Sequence, residues 1–359
     1  MRRSLICQLV VTMAFLLGHC ASGDDYLPVE GPVALSAEPA DVPDNDVPVE
    51  TGSLRSLVTE LTSEKYLLRD PIDDQRPYVE PEEALPTVRR VATMMDQGEI
   101  QQAAELAEEI DMEVVRFEDE WTEEQYLVLR EEVDEPEDTR GWGAYVLNPN
   151  AEEPAIVEAP HPLGDSESVK VATMVFEEGA KGLLIAGAHR EKADVPDRVD
   201  SVFHQVHVAW TGVAGQVAAW QIHGFALRKH PFPSNAKAIL STGDGAVTQP
   251  LLELDRKLEA KGIESYVFNH LPANSPTNQQ VNEGAPGVKF RPLAATQNEQ
   301  GRHLRSVGGE FVHVELEMSV RHDGDSRREA AEAIAKAIDQ STKDRKKPTV
   351  RVANRPGQE

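Results

Sequence analysis

Histidines and carboxylates gather in the second half of this 359-residue chain at spacings that metal-dependent chemistry uses. His161-Pro-Leu-Gly-Asp165-Ser-Glu167 offers an imidazole and two carboxylates within seven residues. Zinc accepts histidine nitrogen and carboxylate oxygen at about 2.0–2.2 Å, and a turn at Gly164 folds Asp165 or Glu167 back toward His161. Asp165 also stands where a helix N-cap belongs, with Glu167 in the first turn, so capping and ligation are both open. Further on, Phe311 to Met318 alternates strictly. His313, Glu315 and Glu317 share one face of a strand, and Val312, Val314, Leu316 and Met318 the other. At a sheet edge that polar face is solvated; in a central strand it must line a polar cleft. There a carboxylate beside an activated water is the general base that metal-assisted hydrolysis requires.

Two other groups invite chemistry. Asp194, Asp197 and Asp200 precede His204 and His207, and positions 200, 204 and 207 align on one face of a helix, either as a second metal site or as solvated and hydrogen-bonded polar groups. Ser241-Thr-Gly-Asp-Gly follows a strand but lacks the Gly-x-Ser-x-Gly elbow of a serine nucleophile.

The elements that must hold these residues follow from periodicity. Glu82 to Ile110 reads as two helices broken at Gln97-Gly98, and Val114 to Phe117 as a short strand. From Gly141 onward short apolar runs alternate with helical stretches. Strands are expected at 144–147, 155–158, 182–186, 216–222, 236–241 and 311–318, and helices at 167–179, 249–261 and 326–338. This is an α/β pattern: a single domain with a mixed, mostly parallel sheet flanked by helices and no internal repeat. In such sheets ligands collect beyond the carboxyl ends of the strands. His161, His189 and His223 each follow an expected strand.

Composition bounds the partners. The chain carries 62 acidic against 36 basic residues, a net charge of −26, which argues against nucleic acid. Residues 1–23 read as a secretory signal, with Arg2 and Arg3, an apolar run from Leu5 to Leu17 and small residues at 21–23. That run is too short to span a bilayer, and no later segment is longer or more apolar, so no transmembrane segment is expected. The expected location is periplasmic or secreted. Both cysteines, Cys7 and Cys20, fall in the signal, which removes disulfides and thiol chemistry from the mature chain. His19 is bulky where a lipoprotein box has a small residue, and this disfavours acylation of Cys20. Residues 24–50 hold eight acidic residues and five prolines and read as a disordered acidic linker. The domain then covers 51–342, with a helical N-terminal part at 51–140 and a site-bearing core at 141–342, and 343–359 is a basic tail. Between 105 and 140 sixteen acidic residues face three basic ones, expected as helix faces kept in water.

Three segments together resemble the zinc carboxypeptidase superfamily and its relatives, the N-formylglutamate amidohydrolases and phage-type poly-gamma-glutamate hydrolases. Pro160-His161 through Asp165 or Glu167 is similar to the opening metal motif. Gln221-Ile-His223-Gly-Phe225 is similar to the strand that ends in the third ligand, and Val312-His-Val-Glu315-Leu316 to the late strand with the catalytic glutamate. The order agrees, and the resemblance covers residues 157 to about 321. Carboxypeptidases have Glu three residues after the first His; here Gly164 stands there, so the carboxylate must come from Asp165 or Glu167. The resemblance implies one zinc ion on His161, Asp165 and His223 with a fourth position open for water, and Glu315 as the base. It also implies that an arginine, Arg190 first and Arg302 second, anchors a substrate carboxylate. The implied activity is amide hydrolysis of a peptide-like or acylated amino-acid substrate. The rival is an exported binding protein on the same scaffold that holds a small ligand or a metal without turnover. Oligomeric state stays open.

Overall fold

The computed structural model describes residues 47–212 and 217–346. The signal segment, most of the acidic stretch and the tail from residue 347 lie outside them. The first strand, β1 (Val49–Gly52), begins inside the stretch read as a linker and is followed by α1 (Leu54–Leu61). The expected helix pair is α2 (Leu85–Gln97) and α3 (Ile100–Glu108). They part at Gly98, whose φ of 80° closes α2 in the left-handed conformation that glycine adopts without strain. Next come β2 (Met112–Asp119), β3 (Gln125–Glu131), β4 (Ala144–Leu147) and β5 (Glu153–Ala159). The central part contains α4 (Ser168–Glu177), β6 (Ala180–Ile185), α5 (Val202–Thr211), β7 (Ala218–Phe225), β8 (Ala238–Ser241) and α6 (Gln249–Glu259). The chain continues through β9 (Ser265–Val267), α7 (Pro276–Asn282), α8 (Glu299–Ser306), β10 (Glu310–Glu317) and α9 (Met318–His322). The last helix, α10 (Gly324–Lys346), runs into the segment read as a tail.

The ten strands form one mixed sheet in the order β1-β2-β3-β4-β6-β5-β7-β10-β8-β9. Five of its neighbouring pairs are parallel and four antiparallel. The segment 51–140, read as helical apart from the strand expected at 114–117, supplies β2 there and also β3 to this sheet. Nor is its acidity all in water. Arg130 is buried in β3 between Glu50 (2.6 Å) and Glu113 (2.7 Å), and the buried Glu131 accepts from the backbone N–H groups of Arg140 and Trp142. Buried carboxylates are tolerated when they are paired in this way.

Strand alternation sorts the sheet into two unlike faces. One is continuously apolar. Ala155 and Val157 on β5, Trp220 and Ile222 on β7, and Val312, Val314 and Leu316 on β10 join side chains of α1, α4, α6 and α10 in a single core. The other face is divided. Ala219 on β7 belongs to a cluster with α2, α3 and α5, while Phe225 on the same strand belongs to a separate aromatic cluster with Phe232, Tyr266, Phe268 and Phe290. Between them, at the two positions that period-two alternation leaves, stand Gln221 and His223. Among the described residues no helix is long and apolar enough to cross a membrane.

Candidate metal centre

Strand β10 sits between β7 and β8, so the polar face of Phe311–Met318 is central and lines a cleft. Parallel pairing of β10 with β7 places Glu315 opposite His223 and His313 opposite Gln221. Pairing of β5 with β7 adds Glu158 opposite Gln221. A row of five polar side chains thus crosses three adjacent strands near their carboxyl ends, where His161 arrives two residues beyond β5.

The loop after β5 brings in the carboxylate. Pro160 has no N–H with which to extend the ladder, and the chain turns so that the Asp165 N–H donates to the His161 carbonyl at 3.0 Å. The Asp165 side chain does not cap α4: the N-cap is Glu167, with φ 67° and no side-chain cap bond. Instead Asp165 Oδ2 lies 3.0 Å from His223 Nδ1 and 3.3 Å from His161 Nδ1. Donor atoms of His161, Asp165 and His223 all fall within 4.8 Å of one another, and all three residues are buried. Glu167 turns away to Lys170 and Arg327, so the loop offers Asp165.

The far sides of both imidazoles are held. His161 Nε2 is 2.7 Å from Asp194 Oδ1, and His223 Nε2 is 2.9 Å from Gln221 Oε1. A histidine ligand usually has its second nitrogen fixed by such an acceptor, which sets the tautomer and turns the free lone pair toward the ion. Here the nitrogens left facing one another are the two Nδ1 atoms. His161 Nδ1 and Glu315 Oε2 are buried with no hydrogen-bond partner among the described residues, as is Nδ1 of His313, whose ring stands 4.6 Å from that of His223. Two imidazole nitrogens and a carboxylate oxygen, buried and partly orphaned, are a donor set that fits zinc.

Electrostatics agree with a site arranged around charge. Burial opposes ionisation of Asp165, but the imidazoles of His161 and His223 beside its carboxylate outweigh it and hold its pKa well below the usual carboxylate range. Burial likewise opposes protonation of His161, yet Asp165 and Asp194 raise its pKa. His223 goes the other way, lowered by burial despite Asp165. Glu315 is pushed up to about 8, chiefly by burial and then by the charge of Asp165.

Arg190 is brought to the site, where its guanidinium bonds Asp165 Oδ1. A Cβ at residue 164 would meet Arg190 Nη2 at 2.7 Å, so glycine there makes the room this arginine occupies. Arg302 is not brought in: it lies half exposed on α8 and pairs with Glu299. Asp200 also departs from expectation, because it precedes α5 and bonds Arg198 rather than sharing a helix face with His204 and His207. Ser241 is structural; its hydroxyl donates to the Ala294 carbonyl and accepts from the Gly243 N–H.

Three contributors escape the motif reading. Asp194 is 33 residues from His161 in sequence, and its place with Asp197 and Asp200 pointed to His204 and His207 rather than to His161. Gln221 was legible in principle, since it shares a strand face with His223. Arg321 is buried in the turn after β10, donating to the Ser166, Leu316 and Phe225 carbonyls and so tying together the segments that carry Asp165, Glu315 and His223.

No protein-family profile matches the chain, and no curated protein matches it. Several solved structures do. A bacteriophage poly-gamma-glutamate hydrolase aligns over 52% of this chain and 84% of its own at 16% identity, with a TM-score of 0.30. The Legionella pneumophila LapA aminopeptidase aligns over 80% of this chain and 70% of its own at 10% identity and a TM-score of 0.31. A protein assigned as carboxypeptidase A from Shewanella denitrificans aligns over 60% of this chain and 61% of its own, at 10% identity and a TM-score of 0.32.

Proposed function

We propose that the protein is an exported zinc-dependent hydrolase that cleaves an amide bond in a carboxylate-bearing, peptide-like substrate. The observation that carries this reading is the convergence of His161 Nδ1, Asp165 Oδ2 and His223 Nδ1 beside a partnerless Glu315 carboxylate oxygen. Export rests on the sequence pattern of residues 1–23.

Each residue has a task that its surroundings support. Asp194 and Gln221 keep a proton on Nε2 of His161 and His223, leaving both Nδ1 lone pairs for the ion. A zinc ion bound there supplies a Lewis acid for the scissile carbonyl and a positive charge that offsets the burial of Glu315. Glu315 takes a proton from the attacking water and passes it to the leaving amine. Arg190, beside Asp165 and two-fifths exposed, is the cation placed to receive the substrate carboxylate.

The test combines metal content with turnover. The purified chain should bind zinc and hydrolyse members of a panel of N-acyl amino acids and short peptides; a chelator should abolish turnover and zinc should restore it. Glu315→Gln should keep the metal and lose turnover. A chain that binds zinc but turns over nothing in the panel, with the same ligands bound equally well by Glu315→Gln, is a binding protein and sinks the enzyme reading.

A further inference from the structure

A second group of imidazoles lies behind the first. His204 and His207 come from α5 and His303 from α8. Their ring centroids are 5.4 Å (His207 to His303), 5.9 Å (His204 to His207) and 6.0 Å (His204 to His303) apart. Ordinary packing would place apolar side chains at such a helix–sheet junction, or give each ring nitrogen a partner. Here several polar atoms in one spot have none: His207 Nε2, His303 Nε2 and Gln300 Oε1 are all buried and without a hydrogen-bond partner among the described residues.

The tautomers sharpen the point. His207 is fully buried and its Nδ1 lies 2.7 Å from Glu158 Oε1. An ionised carboxylate only accepts, so Nδ1 carries the proton and Nε2 is a bare lone pair. His204 Nδ1 lies 3.2 Å from Gln300 Nε2, whose N–H donates to it. His204 therefore offers Nε2 to an ion only when that amide turns over and Nδ1 takes the proton. His207 Nε2 is thus a buried lone pair beside the equally partnerless Nε2 of His303, and an ion held between them would satisfy both. Burial also opposes protonation of His204 and His303. His204 is pushed down to about 3, by burial first and then by His207 and His303, and His303 to about 4 in the same way. Glu158 is the anion that faces the group and Arg89 the cation acting on it. His303, only half buried, gives a path from solvent.

We propose that His204, His207 and His303 form a second metal site, with three imidazoles for a late first-row divalent ion of the zinc kind and Glu158 as the carboxylate behind His207. Imidazole donors of this sort suit zinc, copper and nickel over calcium or magnesium. Centroids 5.4–6.0 Å apart leave the rings slightly spread, so binding draws them together by side-chain rotation. The site is separate from the candidate catalytic centre but shares a support with it: Glu158 Oε2 accepts from Gln221 Nε2 at 3.0 Å, and Gln221 Oε1 lies against His223.

Zinc stoichiometry of the full chain tests this, with His303→Ala and His204→Ala chosen because neither removes the buried partner of Glu158. The wild type should hold two zinc ions per chain. Either variant should hold one, with the second site weakened at least ~100-fold and the melting temperature of the zinc-free protein little changed. The pair His161→Ala and His223→Ala should also hold one. If the wild type holds a single ion that is lost with His161→Ala and His223→Ala and kept by His303→Ala, the second site does not exist. If the single ion is instead lost with His303→Ala, this site stands and the catalytic proposal falls. A wild type that binds none overturns both.

Discussion

Glu315 on β10 and His223 on β7 are in-register neighbours in a parallel strand pair, so backbone hydrogen bonding fixes the spacing between the proposed base and one of the proposed metal ligands. A shift of register by one residue would turn Glu315 and His313 into the apolar core beneath. The packing of Val312, Val314 and Leu316 there makes such a slip costly. Glu315→Gln preserves shape and register, and should lower kcat roughly 10²–10⁴-fold with zinc content unchanged. Turnover at the wild-type rate would remove Glu315 from the mechanism.

On the proposed function, Asp194 would act on the ion through His161. Asp194→Asn should leave the fold intact and weaken zinc binding about 10–100-fold, measured by competition with a coloured chelator. Unaltered affinity would mean that the 2.7 Å contact is incidental.

Arg190 can be separated from the ligands by substrate choice. Arg190→Ala should raise KM roughly 10–100-fold for a substrate with a free carboxylate, as expected from losing a charge-assisted hydrogen bond. The carboxamide analogue should show little change. Equal loss with both substrates would assign Arg190 to the support of Asp165 rather than to recognition.

Far from the site, Asp255 on α6 is buried against Ser265, whose hydroxyl donates to it at 2.7 Å. Burial pushes its pKa up to about 7, with Glu259 and Glu264 adding to the effect. The folded value thus lies above the unfolded one, so its contribution is fully present below about pH 4 and is lost as pH rises through 7. Asp255→Asn should therefore be more stable than the wild type at pH 8, by on the order of 2 kcal/mol, with the gap closing at pH 5. Thermal melts at the two pH values decide it, and a gap independent of pH would refute the assignment.

Much of the site could be read from the sequence because its parts lie at strand ends with period-two spacing. His223 and Glu315 are of this kind. The choice between Asp165 and Glu167 could not be made there, since it depends on a left-handed residue at 167 that sends one carboxylate inward and the other to Arg327. Arg321 and His303 were invisible for a related reason, and Asp194 was grouped with other histidines: each reaches its partners across a long sequence separation that only the folded sheet closes. The strands β1 and β3 were hidden in acidic stretches, where charge masks a short apolar pattern until its ion pairs are seen.

The division of one sheet face has a consequence for how this cleft can change. Its floor is the backbone of β5, β7 and β10, anchored from below by an unbroken core. Its two walls are built separately, one by the cluster that includes Phe203, Leu304 and Phe311, the other by the aromatic group around Phe232 and Phe290. The polar row is therefore a seam between two lobes. Either lobe can be recut to admit a longer or bulkier substrate while the opposite wall, the strand register and the ligand spacing stay as they are.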